Sequence, residues 1–255
     1  MLAMLQWYEA AGVDMAVSEE PVDRFAQSAV APPPARAQAP APETSSPAIA
    51  APGADADPQT ARDLAAKATT LDALRETLES FEGCGLRLRA TNLVFADGNP
   101  EADIMLVGEA PGRDEDLQGK PFVGRSGQLL DRMLKSIGLD RTKVYIANTV
   151  PWRPPGNRTP APSEVAVCLP FLHRQIELVA PKVLIALGGA SASTLFETTA
   201  GITRIRGQWR ELTVNGHTMR AIATLHPAYL LRQPAAKRLA WQDLLSVKSA
   251  LDGLA

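Results

Sequence analysis

Only two cysteines, Cys84 and Cys168, occur in 255 residues, so no disulfide framework holds this chain together and a reducing, cytoplasmic setting is the expectation. No apolar run approaches the roughly 20 residues that a membrane helix needs, so no membrane span is expected. The opening residues, MLAMLQWYEAAGVDM, lack a basic segment ahead of an apolar one and do not read as a secretory leader. Phosphate-cradling signatures are missing as well: there is neither GxGxxG nor GxxxxGK followed by Ser or Thr. The remaining composition, 45% hydrophobic and 21% charged, is that of a soluble globular chain long enough for one good-sized domain with extensions.

Charge and composition then divide the chain. Residues 1–69 hold nine acids and four bases, which leaves 22 bases against 19 acids from residue 70 onward, a net of +3 under an overall charge of −2. A mildly basic body suits a polyanionic ligand and equally suits an ordinary mixed surface. Residues 1–24 read as a short amphipathic element carrying Leu5, Trp7, Tyr8 and Val13. Residues 25–58 are dominated by Ala and Pro, with too little large apolar surface to offset ordering entropy, and read as a disordered linker. An apolar element on such a tether is expected to dock on a protein partner, to pack back on the body or to stay disordered.

Residues 59–255 form the expected domain. Leu71, Leu74 and Leu78 have helical spacing within 59–80. Beyond them, short apolar runs at 104–109, 144–150, 183–188 and 221–227 read as buried strands. Helical patterns at 127–139 and 163–179 lie between them; in the second, Ser163 is placed to cap the start and Pro170 to kink or break it. Strands alternating with helices predict an α/β fold with a parallel sheet covered on both faces. Ligands of such sheets sit at the carboxyl ends of the strands. The distinctive loops GEAPGRDEDLQGKPF, NTVPWRPPGNR and HPAYLLR all follow those ends.

Gly108 and Gly112 permit close backbone approach to a ligand, whereas the acids Glu109, Asp114, Glu115 and Asp116 argue against a phosphate site. Phe122 fits either a core aromatic or a ring stacked on a planar ligand. Asn148 ends a strand, where its amide fits a structural turn or the edge of a pyrimidine carrying O4 and N3–H. His226 opens the last loop at the ligand-binding end, a position that favours function over packing.

Taken together, GEAPGxxED, GxPFVG, YIAN, RPPGNR and HPAYLLR, with Lys237, Trp241, Asp243 and Leu244 following, resemble the family 4 uracil-DNA glycosylases of bacteria and archaea. The likeness runs from Phe81 to Leu251, about two thirds of the chain. It implies a three-layer α/β/α sandwich around a four-stranded parallel sheet and uracil-containing DNA as substrate. The implied activity is extrusion of uracil and hydrolysis of its N-glycosidic bond, leaving an abasic site. Glu109, Glu115 and His226 would be the catalytic side chains. Gly108, Ala110, Gly112, Phe122, Asn148 and Asn157 would bind the base, Leu230 would fill the gap it leaves, and Arg232 would contact phosphate. In the related family 1 enzymes an Asp stands where this chain has Ala110, so their general base is missing here.

The chain also departs from the family it resembles. Most members hold a [4Fe–4S] cluster on four cysteines, whereas two of those places here are Phe81 and Trp152, and only Cys84 and Cys168 remain. Two thiolates do not provide four-Cys ligation, so no cluster, no metal and no other cofactor is expected, with the two aromatics filling the volume as apolar surface. Two rival readings are a uracil-DNA-binding relative that does not turn over, or cross-links, and a phosphohydrolase-type α/β domain. The first is disfavoured by the presence of Glu109, Asn148 and His226. The second is disfavoured by the absent phosphate-binding Lys.

Overall fold

The computed structural model describes residues 57–253. The amphipathic element at 1–24 and nearly all of the linker at 25–58 lie outside the described residues. In chain order the elements are α1 (Pro58–Lys67), α2 (Leu71–Ser80), β1 (Asp97–Gly98), β2 (Ile104–Gly108), α3 (Arg113–Gln118), α4 (Arg125–Ser136), β3 (Tyr145–Asn148) and α5 (Pro162–Val179). They continue with β4 (Val183–Leu187), α6 (Gly189–Leu195), α7 (Ile202–Ile205), β5 (Arg210–Val214), β6 (His217–Thr224), α8 (Pro227–Arg232) and α9 (Lys237–Asp252).

The sheet order is β1-β3-β2-β4-β6-β5. Its centre, β3-β2-β4-β6, is the expected set of four parallel strands, but β1 and β5 pair antiparallel at the two edges, so the whole is a six-stranded mixed sheet. Side chains of a strand alternate between faces, and that alternation builds two cores from one sequence. Ile104, Leu106, Ile146, Val183, Ile185, Leu187 and Ile222 join α4, α8 and α9 on one face. Met105, Val107, Tyr145, Ala147, Leu184, Ala186, Ala221 and Ala223 join α5 and α6 on the other. Strands buried on both faces therefore read as continuous apolar runs.

A third cluster lies under the first two helices, where Leu74, Leu78, Phe81, Cys84, Trp152, Cys168 and Phe171 are buried together. The helical stretch at 59–80 is two helices, because Thr70 takes extended geometry and its side chain accepts from the Ala73 N–H, starting α2 afresh. Two expectations for α5 need correction. Pro162 occupies the first turn and Glu164 reaches back to the Ala161 N–H at 2.6 Å, so Ser163 is not the cap. Nor does the helix end at Pro170, whose lost N–H is outweighed by the buried face of Val167, Phe171, Leu172 and Ile176.

Candidate functional site

Glycine at the end of β2 is required by what flanks it. A Cβ at Gly108 would collide with the carboxamide oxygen of Asn148 and lie 2.8 Å from the Phe122 ring. Gly108 and Asn148 are register partners across β2 and β3, so the absent side chain lets amide and aromatic ring converge at the strand ends. Asn148 is buried, yet its amide makes no protein hydrogen bond among the described residues and faces a cavity of about 620 Å³. Glu109, Ala110, Gly112, Glu115, Phe122, Asn148, Asn157, His226 and Arg232 line this cavity, with Gly108 directly behind Asn148 and Phe122. The carboxyl ends of β2, β3, β4 and β6 all open into it, as an open parallel sheet requires.

His226 takes extended geometry as the N-cap of α8, and its Nδ1 accepts from the Ala228 N–H at 3.1 Å. A ring nitrogen that accepts carries no proton, so neutral His226 is the Nε2–H tautomer, with a donor left for the cavity. Burial, with Arg232 adding to it, pulls the ring down to about 4. Gly188, at φ 95°, makes room for the imidazole, since a Cβ there would come within 2.9 Å of the His226 Cβ. Phe122 and His226 lie with ring centroids 5.6 Å apart and planes 32° off parallel, placing an apolar face beside the Nε2 donor.

Glu109 is the second titratable group of the cavity. Burial raises its carboxyl above the ordinary value, offset in part by a hydrogen bond from the Thr159 side chain. Its backbone carbonyl accepts from the Val150 N–H at 3.1 Å and from Thr149 Oγ1 at 2.6 Å, which fixes the residue at the sheet's end.

Glu115 lines the cavity but is otherwise occupied. Its oxygens accept from the backbone N–H groups of Gly112, Val123 and Gly124 at 3.1, 3.0 and 2.9 Å. A buried carboxylate held by three donors braces the two halves of the loop. Asp116 ties the same loop to Thr91 and Asn92. Asn157 stands exposed at the rim with φ 55°, accepting from Arg153 Nε at 2.7 Å. Arg232, also at the rim, has no ion pair among the described residues.

Leu230, the residue implied to fill the gap left by the base, is buried. It is 1% exposed and packed in the core cluster that contains Leu225 and Leu244, because the first turn of α8 directs it inward. Its neighbours Tyr229 and Leu231 are 38% and 36% exposed, and Tyr229 lines the cavity.

The pattern gave no role to two further groups. Asp243, buried in α9, accepts from Thr224 Oγ1 at 2.6 Å and from Arg206, fixing the end of β6 two residues before His226. Arg141 binds the carbonyls of the Phe122 turn. An arginine in a polar loop carries no sequence signal for such a role.

The residues at the implied cluster position do not fit a four-thiolate group. The sulfurs of Cys84 and Cys168 are 3.8 Å apart and buried. The other two places hold Phe81, tilted against Phe171 with centroids 5.0 Å apart, and Trp152, 2% exposed. Neither aromatic offers a donor of the kind an iron–sulfur cluster takes.

Comparison with known proteins agrees with this geometry. The family model of the uracil DNA glycosylase superfamily matches residues 95–245. The chain is 45% identical over 170 residues to a type-4 uracil-DNA glycosylase of Archaeoglobus fulgidus, covering 65% of this chain and 85% of the relative. It is 40% identical over 185 residues to that of Thermotoga maritima, covering 70% and 93%, and 39% identical over 186 residues to that of Saccharolobus solfataricus, covering 71% and 86%. The matched region contains β2, β3, β4 and β6 and every residue assigned above to the cavity, so the chain belongs to the uracil DNA glycosylase superfamily, in its type-4 branch.

Proposed function

We infer that this chain excises uracil from DNA. The observation that carries the reading is one cavity in which an unengaged Asn148 amide, the Phe122 ring and the Nε2–H of a neutral His226 converge. A base inside a duplex is out of reach, so the nucleotide is first extruded, at a cost of roughly a few kcal/mol. In the cavity Phe122 stacks on the pyrimidine and Asn148 reads its O4 and N3–H edge. Gly108 and Gly112 permit close approach, and Ala110 and Asn157 complete the wall and rim. Arg232 holds a flanking phosphate.

Breaking the bond between the sugar C1′ and uracil N1 leaves both electrons on the base, so negative charge grows on O2 while positive charge grows on the sugar. His226 donates its Nε2–H to O2, and one well-placed donor of this kind is worth roughly 2.7–4 kcal/mol. The Glu109 carboxylate faces the cationic sugar and orients the water whose oxygen bonds to C1′, and the proton this water releases is taken up by the departed uracil anion. No step passes through a cluster. We take the protein to act without one, on the strength of Phe81 and Trp152 at the ligand places. A cytoplasmic setting and a protein partner for residues 1–24 belong to the same reading, the first supported by the two-cysteine composition.

The deciding experiment incubates the full chain with a single uracil in a labelled oligonucleotide, then adds alkali. Strand scission after alkali is expected. An unchanged strand means no excision, and a band retarded under denaturing conditions means a covalent adduct; either would sink the reading.

A further inference from the structure

Phe122 sits in an unfavourable backbone conformation, with φ 54° in the left-handed region, although it is a bulky residue and is buried. Such a conformation persists only when the surroundings over-determine it. On one side Gly127 removes an obstacle, since a Cβ there would overlap the Phe122 carbonyl. On the other side stands Arg141, in the short turn before β3. Its guanidinium donates to the carbonyl oxygens of Pro121, at 3.2 Å, and of Phe122. The same group is held by Asp97 at 2.6 Å and Asp131 at 2.8 Å.

These partners come from separate elements. Asp97 belongs to β1, a strand of two residues pairing antiparallel with β3, and Asp131 to α4. Gly98, at φ 102°, is needed for that pairing, as a Cβ there would overlap the Val144 carbonyl. The carboxylates orient the fork, and the fork fixes the two carbonyls that define where the Phe122 ring stands. Lysine offers three donors from a single point and lacks the planar fork that serves four acceptors at once.

We propose that Arg141 is a positioning residue for the Phe122 platform, setting how tightly the extruded base is held without taking part in bond cleavage. The inference rests on the uracil reading above. Arg141 itself does not line the cavity, so its effect on uracil must travel through Phe122.

The test compares the full-length wild type, Arg141→Lys, Arg141→Met, Phe122→Leu and the Arg141→Lys/Phe122→Leu double variant. Thermal melting verifies folding, inhibition by free uracil reports base affinity, and single-turnover excision at saturating enzyme reports chemistry. Arg141→Lys should weaken uracil inhibition by about tenfold, Arg141→Met by more, with a smaller change in the saturating rate. In the double variant the loss of uracil affinity should equal that of Phe122→Leu alone. Multiplying losses would show that Arg141 acts independently of Phe122 and overturn the proposal. So would a folded Arg141→Lys that binds uracil like the wild type, because a merely structural arginine changes the melting temperature and not the inhibition constant. If the wild type itself excises nothing, the functional reading fails instead, and the two failures are told apart within one experiment.

Discussion

Protonation of His226 gives the sharpest test of how this site works. Burial and the nearby Arg232 hold its ring down to about 4, against an ordinary value of 6.5. At pH 6 about 1% of the rings would then be charged, and at pH 5 about 10%, whereas an unperturbed ring would be about 76% charged at pH 6. Single-turnover excision measured from pH 5 to 8 should therefore show no inflection near 6.5. Any decline on the acid side should belong to Glu109, whose carboxyl is raised by burial, and should disappear in Glu109→Gln. Arg232→Gln removes one of the two causes and should move the His226 titration toward neutrality. His226→Ala should lower the single-turnover rate by about 10²–10³, the worth of one donor on developing charge. A rate that rises as pH falls through 6.5, and no longer does so in His226→Ala, would show that the imidazolium does the work. A loss smaller than about tenfold would remove His226 from the chemistry. The same depression acts on stability. The unfolded chain takes up a proton below 6.5 and the folded ring does not, so this contribution is whole above pH 6.5 and is lost as pH falls through about 4. It amounts to at most about 3 kcal/mol.

Glu115→Ala strands three backbone N–H groups and should destabilise the loop by roughly 2–4 kcal/mol, with Glu115→Gln intermediate; a denaturant titration measures both, and an unchanged midpoint would mean that the brace is not needed. Glu109→Gln should raise the melting temperature at pH 7 while slowing excision. A carboxyl raised in the folded state opposes folding once ionised, so the gain should shrink toward pH 4, and a drop in melting temperature would contradict the burial argument. Asn148→Asp should cut uracil excision by about 10² or more by facing O4 with a second acceptor, and unchanged activity would show that the amide does not read the base. Iron analysis and the visible spectrum of the purified chain should show no stoichiometric cluster; iron at four atoms per chain would overturn the reading of Phe81 and Trp152 as core aromatics.

The sequence made the parallel centre of the sheet legible because its strands are buried on both faces and show as uninterrupted apolar runs. The edges were not. In β5 the side chains from Arg210 to Thr213 alternate between half-buried and exposed, and β1 is too short to carry any pattern. The site divides along a similar line. Residues that touch a ligand leave a composition: glycines where backbones crowd, and an Asn and a His at strand ends. Residues that hold other residues do not. Glu115 looks like any acid of an acidic loop until its three N–H donors are counted. Arg141 looks like surface charge until two carbonyls and two carboxylates are found around it. Leu230 is a related case, since one helical turn offers Tyr229, Leu230 and Leu231 in succession and only packing decides which of them points inward. Phe81 and Trp152 mark the opposite case. There the sequence announces a lost ligand set, and the structure shows that the two aromatics are packed in the same cluster as the remaining thiols. Large rings in a dense core supply burial and dispersion. The cavity draws its walls from the four parallel strand ends and the 154–159 turn.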